Sequence, residues 1–157
     1  MSSDTPFVHV DGVAKRWNGQ LGVENVNLSI PRGSFVALLG PSGCGKSTTL
    51  RLLSGLELPD EGSITIDGRD VTAAAPSDRN LSMVFQSYAL FPHLSVAENV
   101  IFGLKVRKVG AAERREKLDR ALEITGLTGY EARKPGELSG GQRQRVALAR
   151  AASLGLG

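Results

Sequence analysis

The residues best equipped for chemistry form one unbroken stretch, Gly40-Pro41-Ser42-Gly43-Cys44-Gly45-Lys46-Ser47-Thr48. Its spacing, G-x-x-x-x-G-K-S/T, is that of a loop that cradles phosphate oxygens with successive backbone N–H groups. Gly40, Gly43 and Gly45 allow the chain to curl without a Cβ clash, and the positive end of a following helix adds to the attraction for an anion. In such a loop Lys46 reaches the β- and γ-phosphates, and Ser47 offers its hydroxyl to Mg²⁺. The bland alternative is a glycine-rich turn that happens to hold a lysine. The flanking segments favour the phosphate reading.

Those segments must place the loop. Phe35-Val36-Ala37-Leu38-Leu39 is continuously apolar, the pattern of a strand covered on both faces. A helix over residues 47–54 follows and stops at Gly55. Upstream, residues 7–10 and 23–30 read as strands, with Val26, Leu28 and Ile30 alternating with polar neighbours, and Pro31-Arg32-Gly33-Ser34 as a turn. Downstream, Ser63-Ile64-Thr65-Ile66 is a short alternating strand, and Asp67-Gly68 signals a hairpin into Arg69-Asp70-Val71. Residues 81–85 read as another strand. Ser95 and Glu98 have capping-box spacing, which predicts a helix from there to about residue 105. A helix over 111–125 puts Leu118, Ala121, Leu122 and Thr125 on one face, with Gly126 as its C-cap. The last helix starts near Gly140 and contains Val146, Leu148 and Ala149. There is no internal repeat, and the only low-complexity piece is Ser153-Leu154-Gly155-Leu156-Gly157.

Composition narrows the classes of function. The chain has 157 residues, a usual size for one domain, and a net charge of +3. That excess is small and scattered, so it makes no case for a nucleic-acid partner. The single cysteine, Cys44, cannot form an intramolecular disulfide, which fits a reducing compartment. The first six residues are polar and lack a signal peptide's regions, and no apolar run is long enough to span a membrane.

A second motif is more specific. Leu138-Ser139-Gly140-Gly141-Gln142 is followed by Arg143, Arg145 and Arg150 on one helix. Ser139 is a good N-cap, and two glycines leave first-turn N–H groups uncovered, so this is a second anion-binding helix start. The three arginines read as a solvated face, with Arg150 meeting the helix dipole.

With both motifs, the chain resembles the ATP-binding cassette ATPases from Phe7 to about Ala152. The resemblance implies an α/β P-loop fold, with a mixed sheet, an antiparallel N-terminal part and a helical subdomain at about 87–140. It implies ATP and Mg²⁺ as cofactors, and a head-to-tail dimer with a second ATPase subunit. In that dimer Ser139, Gly140, Gly141 and Gln142 contact the γ-phosphate of ATP held by the other subunit's loop. Gln86 looks like the glutamine that reaches the Mg²⁺ and attacking-water region. It joins Lys46 as a catalytic candidate and Ser47 as a metal candidate. Trp17 looks like the aromatic that stacks on adenine, set against the plainer reading of a core residue.

The wording from Met83 to Val100 is similar to importer cassettes of the sugar, glycerol phosphate and polyamine group. There the stretch from Tyr88 to Leu94 receives transmembrane permease subunits, and a solute-binding protein takes part indirectly. Tyr88, Leu90, Phe91 and Leu94 suit that interface, or ordinary core. His93 reads as a surface or capping residue. The resemblance places the protein in the cytoplasm, on the inner face of a bacterial membrane.

The pattern breaks after Arg150. No apolar strand ending in Asp-Glu follows, so the second Mg²⁺ carboxylate, the general-base glutamate and the switch histidine are not in this chain. The expectation is therefore the N-terminal portion of an ABC importer's ATP-hydrolysing subunit, which on its own binds ATP without turning it over and leaves Phe35 to Leu39 as a sheet edge. Two other readings stand beside it: a non-catalytic nucleotide-binding fragment, and a non-transport cassette ATPase.

Overall fold

The computed structural model describes residues 6–155. The beginning of the polar N-terminus and the last two residues of the terminal low-complexity piece lie outside them. The described chain divides into two compact units, Met1–Leu81 and Ser82–Gly157.

The first unit is built on a long hairpin. Strand β1, Val8–Trp17, pairs antiparallel with β2, Gln20–Ile30. The turn between them is Asn18-Gly19, both with positive φ, the backbone that a tight two-residue hairpin requires. β3, Glu61–Ile66, pairs with the other edge of β1, and a short β4, Arg69–Asp70, folds back on β3 through Asp67-Gly68. The order is β2-β1-β3-β4. Helix α1, Lys46–Ser54, packs on this sheet through Leu52, which joins Val10, Val13, Val23, Ile64, Ile66 and Val71 in one core.

Two expected strands do not form. Residues 35–39 and 81–85 have no ladder partner, so every strand pairing among the described residues is antiparallel. The reason is lateral. A strand of the parallel kind takes both its hydrogen bonds and its burial from neighbours on either side. Here Phe35 and Leu39 are 95% and 90% exposed. The first two strands also run well past the predicted 7–10 and 23–30, because the Asn18-Gly19 turn closes them into one hairpin.

The second unit is three helices around one core. α2, Val96–Val106, starts at the predicted capping box: Ser95 accepts from the Glu98 N–H, and Glu98 accepts from the Ser95 N–H. α3, Ala111–Ile124, and α4, Gly140–Gly155, complete it. Val96, Val100, Leu118, Leu122, Leu127, Val146 and Ala149 are buried together. Leu148, on the same helix, is about half exposed. No described helix is long and apolar enough to cross a membrane.

Candidate functional site

The phosphate-type loop is set by close backbone packing. Gly45 caps α1 with φ 91°, and a Cβ there would come within 2.4 Å of Val23 Cγ1 and 3.3 Å of the Gly22 carbonyl. No side chain caps the helix start, so the first-turn N–H groups face outward as donors. Thr49 closes the turn behind them, its hydroxyl donating to the Gly45 carbonyl at 3.0 Å. Lys46 bends back over the loop: Nζ donates to the carbonyls of Gly40 (2.6 Å) and Pro41 (2.7 Å) and lies 3.4 Å from Cys44 Sγ.

A cleft of about 380 Å³ opens beside the loop. Ser42, Gly43, Gly45, Lys46, Ser47 and Thr48 line one side, and Trp17, Leu21 and Gly22 the other. That volume falls in the range of small-ligand sites. Trp17 is not core: it is 40% exposed. Its indole lies against Gly22, where an added Cβ would come within 2.2 Å of the ring. Gly22 is thus a residue of this site that the sequence reading missed. Its signal was the Asn18-Gly19 turn, which folds residue 22 back toward residue 17. Gly40, Pro41 and Cys44 shape the loop from outside the cleft wall.

The other candidates belong to the second unit. Ser139 and Gln142 form a reciprocal capping box at the start of α4: Ser139 Oγ accepts from the Gln142 N–H (3.2 Å), and Gln142 Oε1 accepts from the Ser139 N–H (2.8 Å). One of the N–H groups expected to be uncovered is therefore satisfied within the motif, and Gly140 and Gly141 form its exposed tip. Gln142 Nε2 also reaches the Tyr130 hydroxyl at 3.3 Å.

Of the arginines that follow, Arg145 is exposed, as a solvated face requires, while Arg143 and Arg150 are partly buried, and all three bind carbonyls. Arg143 donates to the Leu138 carbonyl, Arg145 to those of Thr125 and Gly126 at the end of α3, and Arg150 to those of Tyr88 and Ala89. Helix-end and turn carbonyls have no ladder partner, and a guanidinium reaches them across long separations. Gln86 is exposed and lies within that turn, which spans residues 86–89.

The Tyr88 to Leu94 stretch is half core and half surface. Leu90 packs on the second unit's core, and Phe91 stacks on Phe102 at 4.4 Å between centroids. Fully buried Asn99 pins it, accepting from the Phe91 N–H and donating to the carbonyls of Phe91, Leu94 and Ser95. Pro92 and His93 remain exposed.

Fold and cleft together are those of a P-loop domain of the cassette type. The chain belongs to the ABC transporter family, whose model matches residues 23–155. Among curated proteins it is 52% identical over 149 residues to the Fe(3+) ions import ATP-binding protein FbpC of Escherichia coli O157:H7, covering 95% of this chain and 43% of that one. It is 54% identical over 142 residues to the sulfate/thiosulfate import ATP-binding protein CysA of Gloeobacter violaceus, covering 90% and 41%. The chain thus spans less than half the length of the curated relatives it matches.

Two solved structures are also similar. The ATP-binding cassette MJ0796, a dimer in a post-hydrolysis state bound to ADP and Pi, superposes with a TM-score of 0.81 at 36% identity, covering 94% of this chain and 70% of that one. The cbiO1 protein of Clostridium perfringens, part of the ABC transporter complex cbiONQ, gives 0.86 at 28% identity, covering 96% and 62%.

Proposed function

We propose that this chain is part of the ATP-binding subunit of an ABC importer and that ATP occupies the cleft between Trp17 and the P-loop. The observation that carries this is the cleft itself, with a half-exposed indole on one wall and an uncapped helix start with its lysine on the other. The indole offers a flat face for adenine. Backbone N–H groups from Gly43 to Thr48 take the phosphates, and Lys46, already holding two carbonyls, exchanges them for the outer phosphate oxygens.

The residues present suit Mg²⁺. Ser47 lines the cleft with a hard hydroxyl oxygen, the donor type that Mg²⁺ prefers, and the exposed Gln86 of the second unit is the further candidate donor. When bound, Mg²⁺ would supply neutralisation of phosphate charge. Gln86 orients water, and the Ser139, Gly140, Gly141 and Gln142 segment serves the γ-phosphate of a second subunit. The dimeric state of the similar ADP-bound cassette supports that head-to-tail reading.

In the complete protein, hydrolysis would drive solute uptake through permease subunits docked at Tyr88 to Leu94, on the cytoplasmic face of the membrane, with a solute-binding protein upstream. The import functions named for the relatives support this role. Relatives of nearly equal identity are named for ferric ion and for sulfate or thiosulfate, so the cargo is set elsewhere than in this segment. The test is calorimetric titration of the folded chain with MgATP. Lys46→Ala should weaken binding at least tenfold, about 1.4 kcal/mol. Equal affinities would overturn the proposal.

A further inference from the structure

The turn that holds Gln86, residues 86–89, is strained. Tyr88 and Ala89 both carry a Cβ, yet have φ 64° and 44° in the left-handed region. Such a pair persists only where its surroundings over-determine it. One local bond helps, from the Tyr88 N–H to the Phe85 carbonyl at 2.8 Å. The other restraint comes from 61 residues away. Arg150 Nη1 donates to the Ala89 carbonyl at 2.7 Å, and Nη2 donates to the Tyr88 carbonyl at 3.0 Å. A single planar fork thus spans two successive carbonyls, with a separate nitrogen for each. The same guanidinium lies 6.0 Å from the centroid of the Phe91 ring. Partial burial presses the Arg150 pKa down from its usual range.

The base of this arm is rigid. α4 is anchored by buried Val146 and Ala149, and buried Ser153 donates to the Val100 carbonyl at 3.0 Å. Arg150 stands ten residues beyond Gly140, roughly 15 Å along the helix. The helix that opens on the Ser139–Gln142 capping box therefore also grips the turn between Gln86 and Phe91.

We propose that Arg150 is a positioning residue that locks the Tyr88-Ala89 turn to α4, so that Gln86, the docking stretch and the signature end of the helix move as one body. This rests on the reading of Gln86 and Tyr88 to Leu94 given above. The turn itself can be tested without it.

The chain has two tyrosines, so 3-fluorotyrosine labelling gives two fluorine resonances, with Tyr130 as the internal control. Arg150→Ala should shift or broaden the Tyr88 line, leave that of Tyr130 in place, and speed amide exchange at Tyr88 at least tenfold. Adding Ala89→Gly removes the left-handed penalty and should restore most of that protection. Ala89→Gly alone should change exchange less than twofold. Arg150→Lys, which keeps the charge but replaces the two fork nitrogens by one, should fall between, and it decides the matter if Arg150→Ala does not fold. An unchanged Tyr88 line and exchange rate would overturn the proposal. So would loosening spread evenly over α4 with no recovery by Ala89→Gly. MgATP affinity, measured on the same samples, should be the same in wild type and variants. Absence of ATP binding in the wild type would sink the functional reading and leave the Tyr88 result standing.

Discussion

Arg79 should be the most expensive single side chain to remove from the first unit. It is 2% exposed, and its guanidinium donates to four carbonyls: Leu52 (2.7 Å), Leu53 (3.1 Å), Thr72 (3.1 Å) and Ala74 (3.1 Å). Leu52 and Leu53 are in the last turn of α1, whose carbonyls the helix cannot satisfy. Gly55 leaves the necessary room, since a Cβ there would sit 2.5 Å from Arg79 Nε. Arg79→Met keeps much of the volume but takes away every donor. All four carbonyls lose Arg79, but Leu52 retains the Gly55 N–H at 3.2 Å, so three are orphaned. At about 1–3 kcal/mol for each orphaned group, and with the buried charge no longer desolvated, the net loss should be about 3–5 kcal/mol. Trp17, the only tryptophan, lies in the first unit and reports its unfolding alone. With a urea dependence of about 1–3 kcal/mol per molar, the Trp17 midpoint should fall by more than about 1 M, while the fluorotyrosine midpoint of the second unit holds. A shift below about 0.5 kcal/mol would refute the reasoning and make Arg79 a spectator.

Two further outcomes follow from the same contacts. Gly22→Ala should push the indole off its seat, changing Trp17 emission and weakening MgATP binding several-fold while the P-loop keeps its lysine; calorimetry and fluorescence on one sample check both. Glu98 is held below the ordinary carboxylate value of 4.5, first by the Ser95 N–H and then by the Ser95 hydroxyl. Because its folded pKa is lowered, its contribution is complete above the unfolded pKa and is lost as pH falls through the folded value. The start of α2 should therefore loosen below about pH 4.5, and Glu98→Gln should flatten that dependence, as read from amide exchange at residues 96–99.

What could be read in advance was local. The P-loop spacing, the Ser95-Glu98 box, the Asp67-Gly68 hairpin and the Ser139 cap are each decided within a few residues, and the structure has them. Phe35 to Leu39 shows the limit. An apolar run states that a segment can be buried, but a strand also needs partners, and those lie far along a chain. Arg79 and Arg150 illustrate the same limit from the polar side. Their acceptors are up to 27 and 62 residues away, and no periodicity marks a carbonyl that lacks a partner. Trp17 falls between: its role as a cleft wall depends on a two-residue turn that is visible in the sequence once Asn18-Gly19 is taken as a hairpin.

The central claim is that Trp17 and the P-loop bind one nucleotide between them. Titrating the folded chain with MgATP while recording emission from its single tryptophan tests both walls at once. A saturable quench in the wild type that disappears in Lys46→Ala is the predicted result. A quench of the same size and midpoint in both proteins, or none in the wild type, would contradict it.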